Sequence, residues 1–596
     1  MNNELPGAIA TKTGYNRLLL LVAGLGGLLY GVDVGIISGA LPYLQATFKD
    51  AATGQTLRPD QLSMIVAAVL LGSMISTLFA GLLADWFGRK TMMIVSGFLF
   101  VASIPIISLA HNYDTLMAGR LLQGISGGFI GVVIPLYLAE CLGASSRGKG
   151  TGIFQWLLTL GIFAAAIISF VFSAKVDAIA KLGNAEELFR FKDVAWRSIF
   201  WISLPPGILF MLGGFFVAES PRWLFRHGRV DAARAALLRS RSEAQAETEL
   251  KEMAETAAAE KSVGEKVKES LLRRKYVIPF LLACVILTCN QATGINSVIG
   301  YNATILIQAG LSDEHAHLGY VVFTCFNFLA TIAAVLLVDR KGRKFLLSLG
   351  TAGIIISMIC VGLLFHQTEK LQMDVKDALQ TQVATNQTLS VTFNSEAATN
   401  LLGTNNFGSQ PTTLVVIYSY GGFRGATTAV RSDDMANQSV RIERDSVVPV
   451  KKFEAMVEHP LTDYDAAKNA PLKIDHALIT PVPDEKNGWL TAIALFVFVS
   501  FFAIGPGVCV WLALSELMPT RIRSNGMSIA LLINQTVSTT IAAIFLPTVG
   551  AHGYATMFFT FAGCTVVYFI TAVFFLPETK GKTLEEIEEH FEGGKK

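Results

Sequence analysis

Two short polar stretches recur about 254 residues apart in this chain, and each stands between two long apolar runs. They read Asp85-Trp-Phe-Gly-Arg89-Lys90 and Asp339-Arg-Lys-Gly-Arg343-Lys344. Each stretch ends in Gly-Arg-Lys, immediately before the next apolar run begins. Signals that repeat in two halves of a chain, with apolar runs between them, indicate two related membrane bundles.

Two further signals repeat in the same way at the borders of apolar runs. The first is an acidic residue that precedes an arginine by seven positions, once in each half. These pairs are Glu140 with Arg147 and Glu516 with Arg523. The second is a closing motif, because Glu219-Ser-Pro ends the first set of apolar runs and Pro577-Glu-Thr ends the last. A chain with this organisation is a candidate transporter.

The composition is that of a membrane protein. The chain is 52% hydrophobic and 16% charged, with a mean hydropathy of +0.49, whereas an ordinary soluble domain carries roughly 25% charge. The formal net charge of +2 gives no attraction to nucleic acid, so we expect no nucleic-acid partner. All seven cysteines lie in or beside apolar runs, which argues against a disulfide framework or a metal cluster. We therefore expect neither a metal nor a cofactor.

Twelve apolar runs are each long enough to cross a bilayer. They lie at about 17–40, 61–84, 91–110, 116–139, 150–173, 197–218, 276–308, 317–338, 345–366, 488–514, 524–548 and 553–576. An even number of spans places both termini on one side of the membrane. Lys and Arg cluster in alternate short loops and in the polar segment 219–275, which predicts that both termini are cytoplasmic.

The predicted fold is an all-α membrane protein with two pseudo-symmetric six-helix bundles. Polar segments divide it into bundles, a linker, an insert and a tail. The predicted parts are an N-terminal bundle at 1–218, a cytoplasmic helical linker at 219–275, helices seven to nine at 276–366, an insert at 367–487, helices ten to twelve at 488–578, and a cytoplasmic tail at 579–596.

The insert adds about 122 residues to the second half and falls outside the membrane by the parity of the spans. Alternating runs such as Thr413–Tyr420 and Ser446–Val450 favour a small, mostly β extracytoplasmic domain, with a helix-like stretch at Val450–Glu458. A disordered loop is the alternative, because Asn, Thr, Asp and Gly are plentiful and the insert contains no cysteine.

Two opposite charges, Asp33 and Arg120, lie inside predicted spans one and four. Both fall in the outer third of the membrane, and because a lone charge there is costly we expect them to meet. One interpretation is a proton switch, in which the carboxylate is ionised beside Arg120 and takes up a proton in apolar surroundings. The other is a static ion pair that fixes helix packing.

Polar amides form a second group inside the spans. They are Gln155, Asn290, Gln291, Asn296, Asn327, Asn534 and Gln535. Amides offer donors and acceptors without charge, which suits a neutral polyhydroxylated ligand. Interhelical hydrogen bonding is the alternative. Asn290, Gln291 and Asn296 stand close together beside Gly294, which favours a ligand site in a locally broken helix.

Charged residues at the cytoplasmic helix ends are predicted to form conformational latches, since acid–base pairs there can hold one state and break in another. They are Asp85, Arg89, Glu140, Arg147, Glu219, Arg222, Asp339, Arg343, Glu516 and Arg523. The alternative is that the basic residues of this set only determine the membrane topology. That alternative does not explain why acidic residues recur with them.

The chain resembles the sugar porters of the major facilitator superfamily over nearly all its length except about 367–487. The resemblance is carried by several motifs. They are Gly119-Arg120, Arg147-Gly-Lys149, Glu219-Ser-Pro-Arg-Trp-Leu224, Gln291-Ala-Thr-Gly-Ile-Asn296, Gly505-Pro-Gly507 with Trp511, Ser515-Glu516, and Pro577-Glu-Thr-Lys-Gly581. It implies contacts to sugar from Gln155, Gln291, Asn296, Asn327, Trp511 and Asn534, and an aromatic gate at Tyr301. Asn290 stands where members of the family usually have Gln.

Members with an acid at the Asp33 position and Arg at the Arg120 position are typically proton symporters for sugars such as xylose or for myo-inositol. The resemblance therefore implies a monomeric secondary transporter of the plasma (inner) membrane that moves a monosaccharide or polyol with protons by alternating access. A uniporter of the same fold and a non-transporting sugar sensor are the alternatives. An enzyme is not expected, because the polar segments contain no catalytic set.

Overall fold

The computed structural model describes residues 6–51, 56–142, 147–263, 273–403, 407, 410–434, 438–449, 462–510, 517–518, 522–578 and 590–591. Within these residues, eleven helices are long and apolar enough to cross a membrane. These helices are strongly apolar, and each is buried in the protein over only part of its surface. This is the pattern of a helical bundle whose outer face contacts lipid.

The first half contains seven helices, several of which carry proline near the start or in the interior. Their bounds are α1 Pro6–Thr47, α2 Pro59–Phe87, α3 Arg89–Ser108, α4 Tyr113–Cys141, α5 Arg147–Ala180, α6 Ala185–Trp201 and α7 Leu204–Phe216. Helix α1 packs along α5, and α4 packs between α2 and α3. The helical stretch that contains the sixth span begins about twelve residues before the predicted span, because α6 and α7 together run from Ala185 to Phe216.

Three helices of 6, 9 and 21 residues follow the first half, within the segment predicted to be a helical linker. They are α8 Pro221–Arg226, α9 Val230–Leu238 and α10 Glu243–Val263. They dock on the first half, since the Trp223 indole donates to the Asp85 carbonyl (2.7 Å) and the Arg241 guanidinium donates to the Cys141 carbonyl (3.1 Å). We call this side of the helices the linker end.

The second half begins with a helix that is broken twice. Helix α11 Arg274–Ala292 is followed by α12 Ile295–Gly300 and α13 Asn302–Gln308, and then by the long helices α14 Asp313–Lys341 and α15 Arg343–Glu369. The first break falls at Gly294, whose φ of +81° lies in the left-handed region that favours glycine. The local break predicted beside Gly294 is therefore present.

Between α15 and the next membrane helix the chain forms strands and short helices. They are β1 Met373–Asp374, α16 Lys376–Gln380, β2 Leu389–Thr392, α17 Ser395–Leu402, β3 Thr412–Tyr420, β4 Phe423–Ala426, β5 Val430–Arg431, β6 Ser439–Ile442, α18 Tyr464–Asn469 and β7 Leu472–Pro481. One antiparallel sheet has the order β1-β7-β3-β4, with β5 also paired to β3, and a second sheet pairs β2 with β6. These elements bury their own apolar core, which includes Leu414, Tyr420 and Ile479.

The run Thr413–Tyr420 was predicted to alternate as a strand and forms most of β3. The run Ser446–Val450 was also predicted to alternate, and its described part is not a strand. A 3₁₀ turn at Arg444–Ser446 precedes it, and Pro449 has no N–H to donate to a ladder. The predicted helix at Val450–Glu458 lies outside the described residues.

The remaining membrane helices are α19 Glu485–Phe502 and α20 Arg523–Ile570. A π-helical turn at Ala503–Gly507 extends α19 and contains the Gly-Pro-Gly sequence. Helix α20 contains non-helical backbone at Gly553 (φ +82°, ψ 165°), where two helices meet. Glu369 at the end of α15 accepts the Tyr554 N–H (2.7 Å) and so caps the helix that restarts there.

The two halves meet at the end opposite to the linker, which we call the insert end because the described residues between 370 and 484 cover it. Four hydrogen bonds illustrate the contact. They are Tyr43 Oη to Asp313 Oδ2 (2.7 Å), Ala303 N to Ser38 Oγ (3.2 Å), Tyr320 Oη to the Gly35 carbonyl (2.8 Å), and Leu546 N to Ser63 Oγ (3.1 Å). The halves are therefore closed against each other at the insert end.

The two Gly-Arg-Lys signals form the same structure at the start of α3 and of α15. Gly88 (φ +92°, ψ 156°) and Gly342 (φ +88°, ψ 158°) both adopt backbone that is essentially restricted to glycine. A Cβ at Gly88 would lie 2.2 Å from Glu219 Oε2, and one at Gly342 would lie 2.5 Å from Glu578 Oε2. The repeated glycine thus admits a carboxylate to the start of each helix.

We expect Gly88→Ala to lower the free energy of unfolding by about 2 kcal/mol or more, because it combines backbone strain with a clash against Glu219. The measurement is the melting temperature of the purified protein in detergent. Gly81→Ala in the preceding helix α2 is the matched control, since a Cβ there meets no atom within 4 Å and should be neutral or slightly stabilising. Equal melting temperatures for the two variants would contradict the assignment.

Candidate functional site

Asp33 and Arg120 meet inside the first half, as their predicted depths require. Arg120 Nη1 lies 3.8 Å from Asp33 Oδ1, and both residues are 1% exposed. Neither carboxylate oxygen accepts a hydrogen bond from any residue that the structure describes. The two charges therefore attract each other across a gap that is longer than a hydrogen bond.

Arg120 has a second partner that the sequence did not suggest. Its Nη1 donates to Gln123 Oε1 at 2.6 Å, one turn along α4, and its guanidinium lies 5.5 Å from the centre of the Phe200 ring. Gln123 is fully buried, so this hydrogen bond is shielded from water. Gln123 thus competes with Asp33 for the same donor, and no hydrogen bond from Arg120 reaches the carboxylate.

The predicted amides on α11 and α12 lie together around the helix break. Asn296 Nδ2 donates to Gln291 Oε1 (3.0 Å) and to Ser538 Oγ of α20 (2.7 Å). Gly294 makes this possible, because the break turns Asn296 back toward the end of α11. The amides of the broken helix are therefore tied to the facing helix α20.

Two buried amide oxygens of this region have no protein partner in the described part of the chain. They are Asn290 Oδ1 on α11 and Asn534 Oδ1 on α20, and both residues are 3% exposed. A buried amide oxygen without a partner is costly, and ligand hydroxyl groups are one means of satisfying it. Asn534 lies one helical turn from Ser538, so both oxygens belong to the same neighbourhood.

The remaining predicted ligand residues are less closely joined. Gln155 is partly buried on α5, and Asn327 is buried on α14, a helix that packs against α5. Their side chains form no hydrogen bond with the other amides among the described residues. Tyr301 is fully buried, donates to the Ala542 carbonyl (2.9 Å) and stacks on Phe545 with centroids 4.5 Å apart. Trp511 lies outside the described residues.

At the linker end, Arg89 joins three elements of the first half. Its Nη2 lies 2.9 Å from both Asp85 Oδ1 and Glu140 Oε1, while Nη1 donates to the Ala84 carbonyl (3.0 Å). Glu140 Oε2 also accepts the Ser220 hydroxyl (2.5 Å). Arg89 and Glu140 are buried, and removing one partner of a buried pair typically costs about 3–5 kcal/mol.

Glu219 and its counterpart in the second half cap helices. Glu219 Oε1 accepts the N–H groups of Arg89 (2.9 Å) and Lys90 (3.1 Å) at the start of α3. Glu578 accepts the N–H groups of Arg343 and Lys344 (each 3.2 Å) at the start of α15. A carboxylate in this position satisfies orphan donors and complements the helix dipole.

Glu578 was missed by the sequence analysis, although the repeated closing motif Pro577-Glu-Thr was a signal for it. Arg222 was grouped with the latch residues, and its side chain is exposed and forms no ion pair within the described chain. Glu516 and the side chains of Arg147, Asp339 and Arg523 lie outside the described residues. The observed bonds join helix ends within one half.

These features are those of a known family. The family model described as "Sugar (and other) transporter" matches residues 19–385 and 476–591, on both sides of most of the insert. The chain belongs to the sugar porter family of the major facilitator superfamily. Its expected membership is thereby confirmed, and the segment 386–475 lies outside the match.

Curated relatives of this sugar porter include transporters from plants, animals and bacteria. "Probable inositol transporter 2" of Arabidopsis thaliana is 29% identical and aligns over 98% of this chain and 93% of its own length. "Proton myo-inositol cotransporter" of Homo sapiens is 28% identical over 96% and 82%. "Glucose transporter GlcP" of Staphylococcus epidermidis is 25% identical over 96% and 97%.

Solved structures show the same fold. The inward-open conformation of the xylose transporter XylE from E. coli superimposes with a TM-score of 0.62, at 20% identity, over 96% of this chain and 98% of that one. A D-xylose-proton symporter superimposes with a TM-score of 0.60 at 20% identity, over 96% of this chain and all of that one. This sugar porter therefore has the helical fold of its family.

Ser538 is a further residue of this sugar porter that sequence reasoning missed, besides Gln123 and Glu578. A serine in an apolar run gives no signal, whereas its contact with Asn296 follows from the packing of α20 against the broken helix. Among the described residues, no group of three His, Cys, Asp or Glu side chains could hold a metal ion.

We expect Ser538→Ala to weaken sugar binding about five- to twentyfold, since the partly buried Asn296 amide would lose one of its two acceptors and would be held by Gln291 alone. The measurement is equilibrium binding to the tightest ligand in a panel of pentoses, hexoses and inositols. Thr540→Ala is the matched control, because that exposed hydroxyl bonds only to its own helix backbone. Equal losses in both variants would show that Ser538 does not position the amide.

Proposed function

We propose that this sugar porter moves a neutral monosaccharide or polyol together with a proton by alternating access between its two halves. The observation that carries the proposal is the buried Asp33 carboxylate, which lies 3.8 Å from Arg120 and accepts no hydrogen bond within the described chain. A charge in that position is tolerated when paired, and it is readily neutralised by a proton when the pair loosens.

The position of Asp33 on α1 suggests how proton binding reaches the closed end. Gly35, Ser38 and Tyr43 lie further along the same helix, and all three bond to the second half. A change of charge at Asp33 alters its attraction to α4 and so biases the position of α1. The helix that carries the proton site therefore also carries the contacts that must part at the insert end.

The substrate is proposed to be uncharged because the candidate ligand groups are amides and hydroxyls. Asn290 and Asn534 present unpaired oxygens, while Asn296 already donates to Gln291 and Ser538. Bidentate hydrogen bonding to neighbouring hydroxyl groups is a natural use of such amides. The relatives described as xylose, glucose and inositol transporters support this class without identifying the sugar.

We propose twelve spans, with the break at Gly553 dividing the longest apolar stretch into the last two. Lys and Arg near the linker end then place that end and both termini in the cytoplasm of a plasma-membrane protein. Residues 367–487 would form a small, strand-rich extracytoplasmic domain. The described strands and their separate apolar core support that assignment.

The bonded networks at the linker end are proposed to serve as cytoplasmic latches by making each half rigid. Arg89 and Glu140 join α3 to α4, and Glu219 fixes the end of the first half to the start of α3. Glu578 does the same in the second half. Halves that are internally fixed can rock as bodies, which is the motion that alternating access requires.

Proton coupling has enough energy to concentrate a sugar. One elementary charge that crosses about 100 mV contributes about 2.3 kcal/mol, which supports roughly fiftyfold accumulation. A uniporter of the same fold would use the same amides and would leave Asp33 with Arg120 as a static pair. A sensor would bind sugar at the same site without moving it.

We expect Asp33→Asn to abolish concentrative uptake in proteoliposomes while leaving counterflow of labelled sugar within about threefold of the wild type, because the amide cannot take up and release a proton. Asp114→Asn is the control, since it makes the same change at an exposed position at the start of α4. Concentrative uptake that survives in Asp33→Asn would defeat the coupling role. Absence of counterflow in the wild type would favour the sensor.

A further inference from the structure

The insert is attached to the second half at both of its ends. Helix α15 ends at Glu369 and β1 begins at Met373, while β7 ends at Pro481 and α19 begins at Glu485. Connections of three residues leave little slack on either side. The insert therefore has to follow the second half in any movement of the two bundles.

Close contacts strengthen this attachment. Arg431 Nη1 donates to the Ile307 carbonyl of α13 at 3.2 Å. A Cβ at Gly310, which has a φ of +110°, would lie only 2.3 Å from the Pro483 carbonyl oxygen. A Cβ at Gly550 would touch Ala426 at 3.5 Å. The insert thus rests on the second half through backbone as well as side chains.

The insert also reaches across to the first half, to which no covalent connection joins it. Arg58 lies just before α2, and its Nη1 donates to the Ser446 carbonyl at 2.7 Å. Nη2 of the same guanidinium forms an ion pair with Asp60 at 2.9 Å. Lys192 Nζ on α6 lies 3.4 Å from Asp434 Oδ1. The insert therefore spans the boundary between the halves.

The junction with the first half is polar and partly open. A cavity of about 660 Å³ is bordered by Arg58 and Asp60 on one side and by Arg424, Ser446 and Asp475 on the other. Burial raises the pKa of Tyr418 on the sheet, and the nearby Arg58 charge opposes that effect. Separating charged and polar groups beside a cavity of this size costs less free energy than separating a packed apolar interface.

We propose that the face of the insert that carries Asp434 and Ser446 is a docking surface for the first half, engaged when the insert end is closed and released when it opens. The proposal rests on the proposed function in one respect, which is that the halves separate at that end. The partner is the polar edge of the first half at Arg58 and Lys192. The insert then acts as a strap that favours the closed state.

The strap is tested by the exposure of a residue buried between the halves. Val66 on α2 is 5% exposed, and a Cβ at Gly300 of the second half would lie 3.1 Å from it. In a Val66→Cys background, alkylation of residue 66 by a maleimide, followed by peptide mass spectrometry, reports how often the insert end opens. The readout needs neither sugar nor proton.

Removal of both docking contacts in Arg58→Ala, Asp434→Ala should accelerate alkylation about tenfold, which is about 1.4 kcal/mol. Arg441→Ala is the matched control, because Arg441 pairs with Glu443 inside the insert and is largely exposed. In the double variant Lys192→Asp, Asp434→Lys, which exchanges the two charges, residue 66 should be alkylated more slowly than in either single variant.

An alkylation rate that stays unchanged in the double variant, or that rises equally in Arg441→Ala, would overturn the proposal. Failure of the proposed function has a different signature, since accelerated alkylation in a protein that moves no sugar would leave the strap intact and remove the transport assignment.

Discussion

The buried attraction between Asp33 and Arg120 is the interaction on which the rest of the structure depends. Two charges in the apolar interior of a helical bundle are tolerated only as partners, and Gln123 holds the arginine donor at 2.6 Å while the carboxylate stays 3.8 Å away. The pair is close enough for the charges to attract, and the carboxylate accepts no hydrogen bond from the described residues. Because Asp33 lies on α1, its charge acts on the helix that closes the insert end.

The same capping of a helix start by a carboxylate occurs in both halves. Glycines at 88 and 342 admit the carboxylates of Glu219 and Glu578 to the starts of α3 and α15, so the same structural solution joins helix ends at the linker end of each half. Polar contacts between the halves lie at the insert end, where both halves also contribute to one apolar cluster. Further contacts between the halves lie deeper in the bundle, such as the hydrogen bond from Gln535 to Ser73. The insert adds a second, polar boundary with the first half.

Much of the membrane part was predictable, because apolar length, repeated signals and Gly294 are local features of the chain. The meeting of Asp33 with Arg120 also followed from the depth of each charge. Ser538, Gln123 and Glu578 were not found, since their roles arise from packing between distant elements. The run from Ser446 was wrongly read as a strand, because alternation alone does not detect the 3₁₀ turn before Pro449. The docking of the insert on Arg58 likewise leaves no trace in sequence.

The external pH of unenergised proteoliposomes during sugar addition tests the central claim most directly. Inward movement of a neutral sugar with a proton should make the medium more alkaline, in proportion to the sugar taken up. An inert, non-transported sugar should leave the medium unchanged. Uptake of labelled sugar at an unchanged external pH would contradict proton coupling and would leave Asp33 and Arg120 as a structural pair.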